Sequence, residues 1–241
     1  MEWILDPQMW IALITLTALE IVLGIDNIVF ISIVAGRLPV RSQRKARFVG
    51  LALAMIMRVL LLLSLSWIMG LTKPLFSIGN FEASGRALIL IGGGLFLLAK
   101  STREIHHRIE GGAEHGAGAI RVSFSAVLLQ IVLLDAVFSL DSVITAVGMV
   151  DEIGVMVIAV ILAIAVMMIF AEPISRFIDR HPTMKMLALS FLLLIGVNLI
   201  GEGVGFHIPK GYTYFAMGFS LLVEMLNLKV RKRKRSAPAT V

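Results

Sequence analysis

Glu20-Ile21-Val22-Leu23-Gly24-Ile25-Asp26-Asn27 sets two carboxylates and an amide inside an otherwise apolar run. The pattern returns 115 residues later (135 − 20) as Asp135-Ala136-Val137-Phe138-Ser139-Leu140-Asp141-Ser142. Both stretches read acid, five residues, Asp, a small amide or hydroxyl, then a β-branched residue (Ile28, Val143). Placing an ionised carboxylate in hydrocarbon costs roughly 3 kcal/mol on insertion scales and more in simulations. Two matched pairs of such groups are therefore expected to form one cation site built from two halves.

The flanking sequence explains why the acids are buried. The chain has 241 residues, 58% of them hydrophobic and 16% charged, and its mean hydropathy is +0.93. Soluble domains carry about 25% charged residues, and several apolar runs here reach the length of a bilayer span. Seven spans are predicted, at about 8–35, 48–70, 86–101, 122–149, 154–175, 186–206 and 212–228, giving an all-α membrane protein. Residues 1–228 are expected to form one transmembrane domain and 229–241 a basic cytoplasmic tail. The N-terminus lacks a basic region of the signal-peptide type, so the first span is expected to be retained. With no cysteine there is no disulfide framework or thiolate metal site.

Charge placement gives the orientation. Of the 22 Lys and Arg residues, 18 fall after spans 1, 3, 5 and 7, while only Lys73, Arg86 and Lys210 fall on the other side. The positive-inside rule then puts the N-terminus outside and the C-terminus in the cytoplasm. The basic pI therefore reflects topology, and nucleic acid is not an expected partner. Trp3, Trp10, Trp67, Tyr212 and Tyr214 fall near the outer interface, as an aromatic belt would. Spans 1 and 4 carry the two motifs in opposite directions. Spans 1–3 (about 8–101) and 4–6 (about 122–206) thus read as inverted three-helix repeats, with span 7 added. Such repeats place a substrate site near the midplane, where broken helices meet.

Six residues turn an α-helix through about 600°, so Glu20 and Asp26 would point about 120° apart and lie about 9 Å apart along the axis. Both would serve one ion only if the helix were kinked or unwound between them, at Gly24 and at its counterpart Ser139. The metal-site candidates are Glu20, Asp26, Asn27, Asp135, Asp141 and Ser142, an oxygen-only set suited to Mg²⁺, Mn²⁺ or Ca²⁺. Further candidates, for outer contacts or a pathway, are Gly24, Arg58, Gln130, Ser139, Asn198 and Glu202. Arg58, in mid-span 2, is expected to pair with one of the four acids or with backbone carbonyls. Gly92, Gly93 and Gly94 suit close helix packing, and Met167 reads as a packing or lipid-facing residue.

Together the motifs, Leu19 to Asn27 and Leu134 to Ser142, resemble those of the TerC family of integral membrane proteins, named for tellurium resistance. The likeness extends over essentially all seven spans. It implies a relationship to the LysE-type exporters and a role in manganese export across the bacterial inner membrane. It also implies that Glu20, Asp26, Asn27, Asp135, Asp141 and Ser142 hold the metal. Larger relatives append regulatory domains; a chain ending in a basic tail is not expected to share that regulation. The leading expectation is a divalent-cation exporter, Mn²⁺ foremost, working by alternating access. Protons are expected to compete for the aspartates, because desolvation raises carboxylate pKa values. The metal is substrate rather than cofactor, and oligomers are compatible with the fold. The alternatives are a membrane partner that delivers metal to exported proteins or to a tellurite-resistance complex, and an exporter of organic cations or amino acids. An intramembrane aspartyl protease would need a Gly-x-Gly-Asp motif, which neither stretch supplies. The protein is therefore not expected to be an enzyme.

Overall fold

The first long helix opens on a built cap. Asp6 accepts a hydrogen bond from the Gln8 backbone at 2.9 Å, and Pro7 follows at the first helical position, where its missing N–H costs nothing. From there α1 runs unbroken through Pro7–Ala35. It is followed by α2 (Val40–Leu63), the short α3 (Leu65–Leu71), an antiparallel hairpin of β1 (Pro74–Ile78) and β2 (Phe81–Ser84), α4 (Gly85–Glu110), α5 (Phe124–Val147), α6 (Ile153–Arg180), α7 (Pro182–Gly203) and α8 (Lys210–Ser236). This computed structural model describes residues 6–78, 81–110, 123–150 and 152–236 and, within them, all side chains except those of 25, 26, 66, 76–78, 81, 82 and 232–236.

Six of these helices, α1, α2, α4, α5, α6 and α7, are long and apolar enough to cross a bilayer. Large apolar side chains point outward along them, among them Ile14 at 66% exposed and Ile169 at 69%, an arrangement suited to lipid rather than water. The seventh expected span lies within α8, which Tyr212, Tyr214, Glu224 and Asn227 keep below that hydropathy. The second expected span, 48–70, is divided. Ser64 ends α2 by turning its hydroxyl onto the Leu60 and Leu61 carbonyls at 2.8 and 3.1 Å, and α3 starts afresh. The hairpin had no counterpart in the predicted all-helical pattern. The third expected span, α4, also runs nine residues past its expected end (110 − 101), carrying His106 and His107. The glycine-rich stretch beyond it, with His115, lies outside the described residues.

Contacts fix the helix directions. Gly24 faces Met167 and Ser32 bonds Ser175, so α1 and α6 run parallel. Gly50 faces Ile131 and Arg58 bonds Asp135, so α2 and α5 also run parallel. Gly94 meets Gly196 while Gly203 meets Ala87, which makes α4 and α7 antiparallel. One face of the bundle thus carries the N-termini of α1, α4 and α6 and the C-termini of α2, α5 and α7. The main packing pairs are α4 with α7, α1 with α6, α2 with α5 and α2 with α6.

The α4–α7 seam brings backbone against backbone. A Cβ on Gly94 would stand 2.6 Å from the Gly196 carbonyl oxygen, and one on Gly203 2.9 Å from that of Ala87. Small residues allow such contact where no hydrophobic drive separates helix from lipid. Beyond α7 the chain reverses at Gly205, whose φ is 91°. Phe206 N–H donates to the Gly201 carbonyl at 2.8 Å and Gly205 N–H to that of Glu202 at 3.2 Å, a Schellman closure. That turn brings the start of α8 back to the ends of α5 and α7.

Candidate functional site

Asp135 lies midway along α5 and is 4% exposed; Glu20 on α1 is 3% exposed, and Arg58 on α2 is 2% exposed. The three meet. Arg58 Nη2 donates to Asp135 Oδ1 at 2.8 Å, its Nε lies 3.3 and 3.4 Å from the two Asp135 oxygens, and Nη1 donates to Glu20 Oε2. Every nitrogen of the guanidinium is therefore spent on carboxylate. Around Asp135, Asn27 Nδ2 donates to Oδ1 at 3.1 Å and Ser139 Oγ to Oδ2 at 3.0 Å. The leading acid of each motif is thus held by one cation, and residues from both motif helices complete the shell. A buried charge of either sign would be costly alone; paired and hydrogen-bonded, the set is tolerable. Its formal charge is −1, from two carboxylates and one guanidinium.

Asp141 sits elsewhere. It accepts from Arg86 Nη2 at 2.8 Å and from Lys210 Nζ. Arg86 also bonds Glu202 at 3.0 Å, and Glu202 in turn faces His207 Nδ1 at 3.2 Å. This second cluster joins α4, α5, α7 and the start of α8 at the bundle face that carries the α1 N-terminus. The reason is helical geometry. No turn of α1 or α5 is unwound at Gly24 or Ser139, so residues six apart on α5 point about 120° away from each other. Of the two conditions for a shared ion, a kink or an unwound turn, the second is therefore absent here. Gly24 gives its space to Met167, whose sulfur lies against it and which is 2% exposed, so Met167 packs inside rather than facing lipid. Ser139 is fully buried and serves Asp135. The side chain of Asp26 lies outside the described residues.

A cavity of about 90 Å³ borders Arg58 of the first cluster and Asp141, Glu202 and Lys210 of the second. Arg58, Phe138, Asp141, Ser142, Asn198 and Glu202 are among its lining residues. Asn198 and Glu202, taken from the sequence as pathway candidates, thus border the same space as Arg58, with Asn198 fixed by a 2.6 Å bond to Thr213. Ser142 donates to the Ser139 carbonyl at 3.3 Å. Gln130, a candidate for outer contacts or a pathway, has its Oε1 buried without a hydrogen-bond partner. Arg86 and Lys210 belong to neither motif and in the sequence stand only as loop charges, two of just three cations on that side. Among the described residues no group of three or more His, Cys, Asp or Glu side chains is placed to hold a metal ion.

The opposite face has its own ion pairs. Glu104 joins Arg37 and Arg108, Glu172 joins Arg47 and Arg176, and Asp179 joins Lys185. Of these cations Arg47 is buried.

Comparison with known proteins matches residues 5–238 to the family described as Integral membrane protein TerC family. The chain is 58% identical to a UPF0053 protein of Haemophilus influenzae over 96% of its own length and 98% of that protein. It is 55% identical to the UPF0053 inner membrane protein YgdQ of Escherichia coli, over 96% of this chain and 97% of the relative. It is also 54% identical to the E. coli UPF0053 inner membrane protein YoaE over 96% of this chain, which there amounts to 45% of the longer relative. No solved structure matches. A multi-pass helical bundle of the bacterial inner membrane, this chain belongs to the TerC family of integral membrane proteins.

Proposed function

We propose that the protein is a divalent-cation transporter, with Mn²⁺ the preferred ion and export the direction of flux. On this reading, its two inverted halves, α1–α2–α4 and α5–α6–α7, alternate access to a midplane carboxylate site, and α8 serves as a seventh span. The N-terminus faces outside and the C-terminus the cytoplasm, following the bias of Lys and Arg.

One observation carries the reading. Glu20 and Asp135, the matching acids of the two motifs, come from different helices and converge on a single buried point of net negative charge. Ionisable groups at such depth mark ion pathways. The packing supports the halves. Exchanging α1 with α5, α2 with α6 and α4 with α7 turns the α1–α6 pair into α5–α2, and leaves α4–α7, α2–α6 and α1–α5 unchanged; all of these pairs are in contact. The ligands would be Glu20, Asp26, Asn27, Asp135, Asp141 and Ser142, with Asp141 joining once Arg86 and Lys210 release it and α5 unwinds near Ser139. Hard oxygen donors with water suit Mn²⁺ and Mg²⁺.

The test is reconstituted flux of Mn²⁺, Mg²⁺ and Ca²⁺, with and without a pH gradient, in wild type and Asp135→Asn. Mn²⁺ flux in wild type, lost in the variant, is the expected result. Absence of flux for all three ions in wild-type liposomes would leave metal delivery to exported proteins as the better reading.

A further inference from the structure

We infer that Arg58 is the resting counter-cation of this site: its guanidinium lies between Glu20 and Asp135 when no ion is carried and withdraws into the adjoining cavity when one binds. The inference rests on the transport reading above and deepens it.

Consider the charge at the centre. Glu20 and Asp135 together carry −2, Arg58 brings that to −1, and a divalent cation in its place brings it to zero. An alternating carrier must also return empty, and two uncompensated carboxylates in a low-dielectric interior oppose that step strongly. From sequence, protons are expected to compete for the aspartates; beside Glu20 and Asp135 the Arg58 guanidinium is a tethered cation already in place.

Three observations give Arg58 that role rather than a fixed structural one. Its guanidinium bridges the two motif helices, so it reports on both halves at once. It sits on the wall of a cavity of about 90 Å³ that leads toward Asp141, Ser142, Asn198 and Glu202. A displaced guanidinium would find acceptor oxygens there, on carboxylates it would share with Arg86 and with Lys210, which lines the same cavity, and a long, flexible side chain can make that short swing. Finally, the device is one-sided. On the α1–α6 pair, related by exchange to α2–α5, the side chain lodged against the motif is the uncharged Met167. One positive charge for two carboxylates leaves the empty site anionic and still attractive to a cation.

The experiment separates net flux from exchange, using full-length protein in liposomes with equal pH on both sides. Exchange of labelled Mn²⁺ against unlabelled Mn²⁺ needs only the loaded carrier, whereas net efflux into Mn²⁺-free buffer needs the empty one to return. Arg58→Gln is expected to keep exchange and to lose net efflux by more than about tenfold, equivalent to about 1.4 kcal/mol on the return barrier. Arg58→Lys, which keeps the charge, is expected to retain both. Net efflux at the wild-type rate in Arg58→Gln, or loss of exchange together with net efflux in a monodisperse protein, would overturn the inference. If Arg58→Gln does not fold, the wild type decides through the ¹⁵N resonance of Arg58 Nε, titrated with diamagnetic Mg²⁺. A shift on saturation supports displacement, and an unmoved resonance overturns it. Wild-type liposomes that pass no divalent ion would instead refute the transport reading itself.

Discussion

Alanine at Gly94 and alanine at Gly92, two residues apart on α4, should have opposite effects. Both substitutions gain helix propensity, up to about 1 kcal/mol each. A Cβ at Gly92 meets no atom within 4 Å, whereas one at Gly94 would stand 2.6 Å from the Gly196 carbonyl oxygen and 3.1 Å from the Ile200 nitrogen. Both of the latter are backbone atoms of α7, so no side-chain rotation relieves the clash. The helices must part by roughly 0.5–1 Å, which forfeits a quarter to a half of each contact along the seam. Overpacking of this kind costs about 1–3 kcal/mol. Because the propensity gain is common to both variants, Gly94→Ala should be less stable than Gly92→Ala by that amount. For a chain of this size each kcal/mol moves Tm by roughly 2–4 °C. Thermal unfolding of purified protein in detergent, followed by tryptophan fluorescence, measures the difference. Gly196→Ala, whose Cβ would stand 3.0 Å from the Gly94 carbonyl, should behave like Gly94→Ala. Equal Tm values for the Gly92 and Gly94 variants would refute the argument that α4 and α7 touch backbone to backbone.

Arg58→Met leaves two buried carboxylates without a cation and should cost about 3–5 kcal/mol in denaturant unfolding; adding Glu20→Gln should recover part of that loss, and no recovery would mean the pair does not share Arg58. At the second cluster Asp141 and its partners are partly exposed, with Lys210 at 38% and Arg86 at 23%. Lys210→Gln should therefore change stability by less than about 1 kcal/mol, measured by the same unfolding. Gly24→Leu should lower Tm by crowding the Met167 sulfur, and Met167→Ala should rescue it. Additive losses in the double variant would show that the two residues do not share that space.

The amino-acid order alone determined the class of the molecule. Apolar runs of bilayer length can only be satisfied as helices in lipid, since every backbone group must find its partner internally. A carboxylate repeated at a fixed offset within two of those runs marks a functional centre through its desolvation cost. That Arg58 needed acids or carbonyls as partners also followed from its mid-span position, because a guanidinium there cannot lose its charge. Which acids it would take did not follow. Helix direction and register bring Glu20 and Asp135 to it from α1 and α5, and those are properties of packing between segments far apart in sequence. The same holds for Asp141. Its spacing from Asp135 suggested a shared site, but an unbroken α5 turns the two apart, and Arg86 and Lys210 reach Asp141 only because the hairpin and the Gly205 turn bring their helix ends there. Gly92, Gly93 and Gly94 read alike in sequence. One faces open space, one the Val137 side chain and one the backbone of α7, since three successive residues on a helix look in three directions, and only the neighbours decide what each one sees.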